Sequence, residues 1–163
     1  MRQVFFSFEY NKDNWRASQV RNMGKVSNDS TFSDNEWEEV KCKSEASIKK
    51  WIKEQMQMRS CVIVLIGSTT YTREWVKYEI KEAYNQKKGL VGIYIDKLED
   101  RNGNQTTRGN NPFDYVLDDN GEKLSKNVRI FDSAYYNSKD VYKDIANNIE
   151  ALIEEAIDKA GRY

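Results

Sequence analysis

The chain carries 163 residues, 26 of them basic and 26 acidic, with no histidine and two cysteines. That length suits one folded unit, residues 1–163, with a sizeable core, and the even charge balance gives no long-range field for nucleic acid or an anionic membrane. Without histidine neither Ser-His-Asp nor Cys-His hydrolysis is available, and two isolated cysteines leave no ordinary zinc site, so no metal is expected.

Val4-Phe5-Phe6-Ser7-Phe8 reads as a first strand, with the polar Glu9-Tyr10-Asn11-Lys12-Asp13-Asn14 as its exit loop. Because the amino end enters that strand at once, and no stretch approaches the ~20 apolar residues of a membrane span, a cytoplasmic chain is expected. A helix is predicted over 15–23, followed by a short edge strand at 31–33 set between turn formers. Ser44 caps a helix over 45–58 in which Ile48, Trp51, Ile52, Gln55 and Met56 share one face. Cys61 then opens the apolar run Val62-Ile63-Val64-Leu65-Ile66, the pattern of a strand buried on both faces of a parallel sheet. Cys42 is far from it in sequence, which favours free thiols over a disulfide. The run breaks at Gly67-Ser68-Thr69-Thr70 and passes through Tyr71-Thr72 into a helix over 74–87. Another buried strand is expected over 89–96, with Gly89 capping the helix before it. Residues 97–125, rich in Asn, Asp, Gly and Lys and holding the single proline Pro112, are too long for an ordinary connection and read as a functional or floppy insertion. Residues 128–131 return as the last strand, and Ser138 opens an amphipathic helix through Val141, Ile145, Ile149, Leu152, Ile153 and Ala156.

Strand and helix alternate, which predicts an α/β domain: a flavodoxin-like three-layer sandwich around a five-stranded parallel sheet in the order 2-1-3-4-5. Ligands of such sheets bind beyond the carboxyl ends of the strands, where the strand order reverses. That rule brings Phe6, Ser7 and Phe8 after the first strand to face Ser68, Tyr71 and the Trp75/Glu79 side of the following helix across one crevice. A phosphoacceptor receiver would want an aspartate at the end of the third strand, where Gly67-Ser68 stands instead.

Glu79 is the candidate catalytic group. At about 100° per residue, Val76, Ile80 and Ala83 form the apolar stripe of its helix and Glu79 lies about 60° from the stripe's centre, at the rim beside Trp75. Its neighbours at three and four residues' distance are Val76, Trp75, Glu82 and Ala83, so no helical cation explains the carboxylate. The bland alternative is a solvated glutamate, or one paired with another element. Ser7 and Ser68 suit phosphate or ribose and equally suit ordinary strand-end hydroxyls. Phe6, Tyr71 and Trp75 could stack on a flat base or simply pack in the core.

At these residues the chain resembles the TIR-domain superfamily, and more closely the TIR-like proteins (ThsB) of the bacterial Thoeris antiphage system. The resemblance is carried by Val4-Phe5-Phe6-Ser7-Phe8, by Phe32-Ser33-Asp34-Asn35-Glu36-Trp37-Glu38, and by Val64-Leu65-Ile66-Gly67-Ser68 continuing into Arg73-Glu74-Trp75-Val76-Lys77-Tyr78-Glu79-Ile80. Asn110-Asn111-Pro112-Phe113-Asp114-Tyr115 adds to it, and the match spans roughly residues 1–116. What it implies is an enzyme that consumes NAD+ as substrate, with no further cofactor. Such an enzyme cleaves the nicotinamide–ribose bond with a glutamate matching Glu79 and makes a cyclic or modified ADP-ribose that activates an antiphage effector. Asp34 and Trp37 enter the expected substrate site through this resemblance alone. The competing expectation is a non-catalytic TIR-like interaction module, a homo-oligomer included, for which the 97–125 segment would serve partner binding.

Overall fold

The computed structural model describes residues 2–26 and 43–163. Among these, four strands form one parallel sheet: β1 (Val4–Ser7), β2 (Cys61–Ile66), β3 (Gly89–Tyr94) and β4 (Arg129–Phe131), in the order β1-β2-β3-β4. Val4 pairs with Cys61, Cys61 with Gly89, and Val91 with Arg129. These neighbours are the ones the expected order assigns to first, third, fourth and fifth strands. The predicted strand at 31–33, like Cys42, lies outside the described residues.

The helices are α1 (Tyr10–Arg21), α2 (Glu45–Gln57), α3 (Glu74–Asn85) and α4 (Ser138–Asp158). Every residue of β2 is fully buried, because its two faces meet different helix layers. Phe6, Ile63, Leu65 and Ile93 pack with Ala17 and Val20 of α1 and with Val141, Ile145 and Ile149 of α4. Phe5, Val62, Val64 and Ile66 pack instead with Ile52 and Met56 of α2 and with Val76, Ile80 and Ala83 of α3. Each such side chain contributes roughly 1.5–3 kcal/mol by leaving water.

Capping follows the sequence at α2, where the Ser44 side chain accepts from Ser47 N at 3.2 Å; at α4, which Ser138 opens as expected, the capping side chain is that of Asn137, accepting from Asp140 N at 2.9 Å. Two helix boundaries differ from expectation. The predicted exit loop after β1 is already the first turn of α1, which starts five residues before Trp15. Its buried face is Asp13, Arg16, Ala17 and Val20, half of it charged, so it shows no apolar period. The turn after α3 is made by Lys87 at φ 57°, and Gly89 is the first residue of β3.

Residues 97–125 are largely exposed but anchored to the body of the protein by a few buried side chains and by hydrogen bonds. Two short 3₁₀ turns, Pro112–Tyr115 and Leu124–Lys126, seat Phe113 and Leu124 in the core of the α2/α3 face. Arg108 makes two bonds of 2.6 Å to Asp132, just past β4, reaches Asp96 at 3.3 Å and stacks over the Tyr94 ring at 4.1 Å. Gln105 Nε2 donates to Lys97 O and Tyr136 O at 2.8 and 2.7 Å.

Candidate functional site

The site is assembled at the carboxyl end of the sheet. In β1 the side chains alternate, so Phe6 and Phe8 join the α1/α4 core while Ser7 points the other way, toward α3. There the Ser7 hydroxyl donates to Glu79 Oε1 at 2.6 Å across 72 positions of sequence. The expected trio of Phe6, Ser7 and Phe8 is therefore split by the pleat: the two phenylalanines, 3% and 6% exposed, are core side chains in this structure.

Glu79 is also deeper than the rim position expected from its helical angle. It is 5% exposed, because that flank of α3 rests on β1, whose Ser7 supplies its partner. Among the described residues no cation bonds to the carboxylate. Burial pushes its pKa up to about 8, with the Ser7 hydrogen bond pulling it partly back. Loss of hydration penalises the charged form, and the Ser7 hydroxyl, its one donor among the described residues, does not replace the shell of water that an exposed carboxylate keeps. The result is an acid whose titration is brought up from the ordinary carboxylate range toward neutrality, its protonated form predominating at pH 7, a perturbation of the kind that marks groups taking part in chemistry.

The turn after β2 stands at the same end of the sheet. Gly67 N donates to Thr70 Oγ1 at 2.8 Å, which folds Gly67–Thr70 tightly and leaves Ser68 and Thr69 partly exposed. Thr69 donates to the carboxylate of Glu9, itself only 6% exposed, and Arg73 lies 4.0 Å from the same carboxylate. Sequence pattern alone does not single out Glu9, Asp13, Arg16, Thr69 or Thr70. The acid–base spacing of Asp13 and Arg16 at i,i+3 is the one signal it offers.

Tyr71 and Trp75 lie on opposite flanks of α3. The Tyr71 ring packs on Tyr115 at 5.4 Å, and Lys77 approaches that same Tyr115 ring at 6.0 Å. Lys77 precedes Glu79 by two residues and so stands about 160° round the helix from it. Trp75 instead meets Tyr78 edge-on at 5.7 Å, on the flank toward α2, where Lys49 lies 5.4 Å from the Tyr78 ring. Ser7 and Glu79 thus meet directly, the Ser68 turn follows the strand that pairs with β1 and stands at the same end of the sheet, and Tyr71 is turned to Tyr115. Asp34 and Trp37 lie outside the described residues.

A buried helix acid bonded to a first-strand serine at the carboxyl ends of parallel strands lies where doubly wound α/β domains bind their ligands. Comparison with known families narrows the class to a TIR-like domain: residues 5–100 match the family described as "Thoeris protein ThsB, TIR-like domain". The chain is also 36% identical over 120 residues to the "Putative cyclic ADP-D-ribose synthase ThsB1" of Bacillus cereus (strain MSX-D12), an alignment covering 71% of this chain and 62% of that relative. This chain belongs to the Thoeris ThsB TIR-like family. It spans less than two thirds of the length of the curated relative it matches.

Proposed function

We propose that the protein is an NAD+-consuming TIR enzyme that cleaves the nicotinamide–ribose bond and releases a cyclic or modified ADP-ribose, which activates an antiphage effector. The single observation that carries this reading is the buried Ser7–Glu79 pair, found on the fold of a family whose matched relative is named for cyclic ADP-D-ribose synthesis. In the same reading residues 1–163 act as one cytoplasmic TIR-like unit, built on a five-stranded sheet in the order 2-1-3-4-5 with residues 31–33 at the edge beside β1. Glu79 is catalytic, and Ser7, Ser68, Trp75, Asp34 and Trp37 contact the dinucleotide. Phe6 and Phe8 hold β1 in place from beneath, and Tyr71 lines the outer flank. No further cofactor is required.

The chemistry follows from the charges. In NAD+ the nicotinamide nitrogen carries a formal positive charge. When the bond from C1′ to that nitrogen breaks, the electron pair leaves with the base and neutralises it, so the leaving group needs no proton donor. Positive charge passes to C1′ and the ring oxygen, as in other glycosyl transfers. A carboxylate placed beside it in a water-poor site stabilises that charge far better than in bulk water. A water, or a nucleophile of the ADP-ribose itself, then closes on C1′ and gives up a proton. Glu79 is largely protonated in the free protein at neutral pH, and entry of the cationic base favours its ionised form. Ser7 holds the ionised oxygen in one orientation, which spares reorganisation in the transition state.

Purified protein incubated with NAD+ is expected to release nicotinamide. Glu79→Gln, which preserves shape and removes the charge, should lower kcat by about 10³-fold or more while its circular dichroism spectrum stays unchanged. Equal turnover by wild type and variant overturns the proposal. Mass spectrometry of the nucleotide product identifies which nucleophile closes on C1′.

A further inference from the structure

Helix α1 buries an ion pair at the site's edge. Arg16 Nη1 lies 3.0 Å from Asp13 Oδ1, and the two side chains are 5% and 2% exposed. The rest of the guanidinium is committed to the chain after β3: Nε donates to Leu98 O and Nη2 to Asn104 O, each at 2.7 Å. A planar fork with fixed donor directions sets the position of both carbonyls as well as their distance.

The second oxygen of Asp13 has no hydrogen-bond partner among the described residues, a costly arrangement for a buried group. It bears on Gly67, where an added Cβ would come within 2.2 Å of it. On the far side of the same turn, the carbonyls of Gly67 and Ser68 bear on Gly109, where an added Cβ would meet both at 2.4 Å. From Gly109 the chain runs back to Asn104 and Leu98, and so to Arg16. The contacts close a ring around the turn that carries Ser68.

We infer that Asp13 and Arg16 are positioning residues: through this ring they fix where the Gly67–Thr70 turn stands over the carboxyl end of the sheet, and so where Ser68 meets the dinucleotide. Apolar side chains of similar size would bury α1 as well or better, since a buried ion pair adds little net stability. What apolar side chains lack is the fork that holds two carbonyls and an acid in one plane. The inference rests on the NAD+ reading for the contact of Ser68 with the dinucleotide and for its activity measurement, and not for the placing of the turn.

Two variants disturb the ring at opposite points. Arg16→Lys keeps a cation beside Asp13 without the fork, and Gly109→Ala leaves the ion pair untouched. In each, KM for NAD+ is expected to rise about tenfold while kcat stays within about threefold, because Ser7 and Glu79 are held on the other face of the sheet. Amide hydrogen exchange at residues 67–70 should quicken in both variants while β3 keeps its protection. The double variant should be no worse than the poorer single one, as expected for changes acting through one turn. A merely structural role would reduce the folded fraction, lowering apparent kcat with KM unchanged. That result, or unaltered exchange at 67–70, overturns the inference. Should Arg16→Lys fail to fold, Gly109→Ala carries both measurements alone. A wild-type protein inert toward NAD+ brings down the proposed activity, and the exchange measurement then decides the ring by itself.

Discussion

A carboxyl group with one hydrogen bond among the described residues and almost no exposure is tuned there by very few neighbours, which makes Glu79 unusually easy to interrogate. In the proposed reaction the ionised form steadies C1′, so kcat/KM, which reports on the free enzyme, should rise about tenfold per pH unit and level off above the acid's pKa, pushed up to about 8 by burial. Ser7→Ala removes the donor that holds that value down, so the midpoint should move to higher pH and activity at pH 7 should fall. A profile that is flat, or that falls with rising pH, contradicts the role given to Glu79. The meeting of Glu79 with the first strand was legible from topology alone, because the switch-point rule puts the ends of β1 and β2 side by side. Its depth was not legible, since helical angle says which way a side chain leaves the axis and nothing about how closely a neighbouring strand approaches. The same rule groups Phe6, Ser7 and Phe8 by the strand end they share, whereas the period of two along β1 sends Ser7 to one layer and both phenylalanines to the other.

Among the elements, β2, β3, α2 and α4 were readable because apolar side chains mark their buried faces. α1 was half hidden because its inward face carries Asp13 and Arg16, and charge there mimics a loop. The segment 97–125 was misleading for the opposite reason. Its polar composition serves hydrogen bonding to its own backbone and to the strand ends, while one aromatic side chain anchors it. Phe113 is fully buried and meets β3 where Gly92 leaves room: a Cβ there would lie 3.1 Å from the Phe113 ring. Phe113→Ala should therefore cost about 3–5 kcal/mol in urea unfolding, as for a large core side chain. A loss under about 1 kcal/mol, the range of surface positions, would mean that the segment merely lies on the sheet.

For the molecule as a whole, the buried acid makes stability depend on pH in an uncommon direction. The unfolded chain ionises Glu79 near its ordinary value of 4.5, whereas the folded chain keeps the proton until about 8. The folded state binds more protons throughout that window, so its advantage is complete below the window and declines as pH rises through it. Glu79→Gln should flatten this slope and leave the variant more stable than wild type at pH 8–9, by up to about 5 kcal/mol. Comparing urea midpoints of the two proteins at pH 5 and pH 9 isolates Glu79 from Asp13, whose pKa burial also raises, and from Asp132 and Asp100, whose hydrogen bonds hold theirs down. Parallel pH dependence in wild type and variant would show that the carboxyl is more hydrated than its surroundings indicate.

The pairing of Val4 with Cys61 through Ser7 with Val64 has one more consequence. Were β1 to slip by a single residue, hydrophobic burial would be roughly preserved, since phenylalanines occupy both parities of Phe5, Phe6 and Phe8. The serine, however, would turn to the opposite layer and an aromatic ring would confront the acid. Such a misthreaded molecule would pass as native by its helix content yet lack the Ser7–Glu79 pair, so under the proposed activity turnover doubles as a proofreader of how the first strand was laid down.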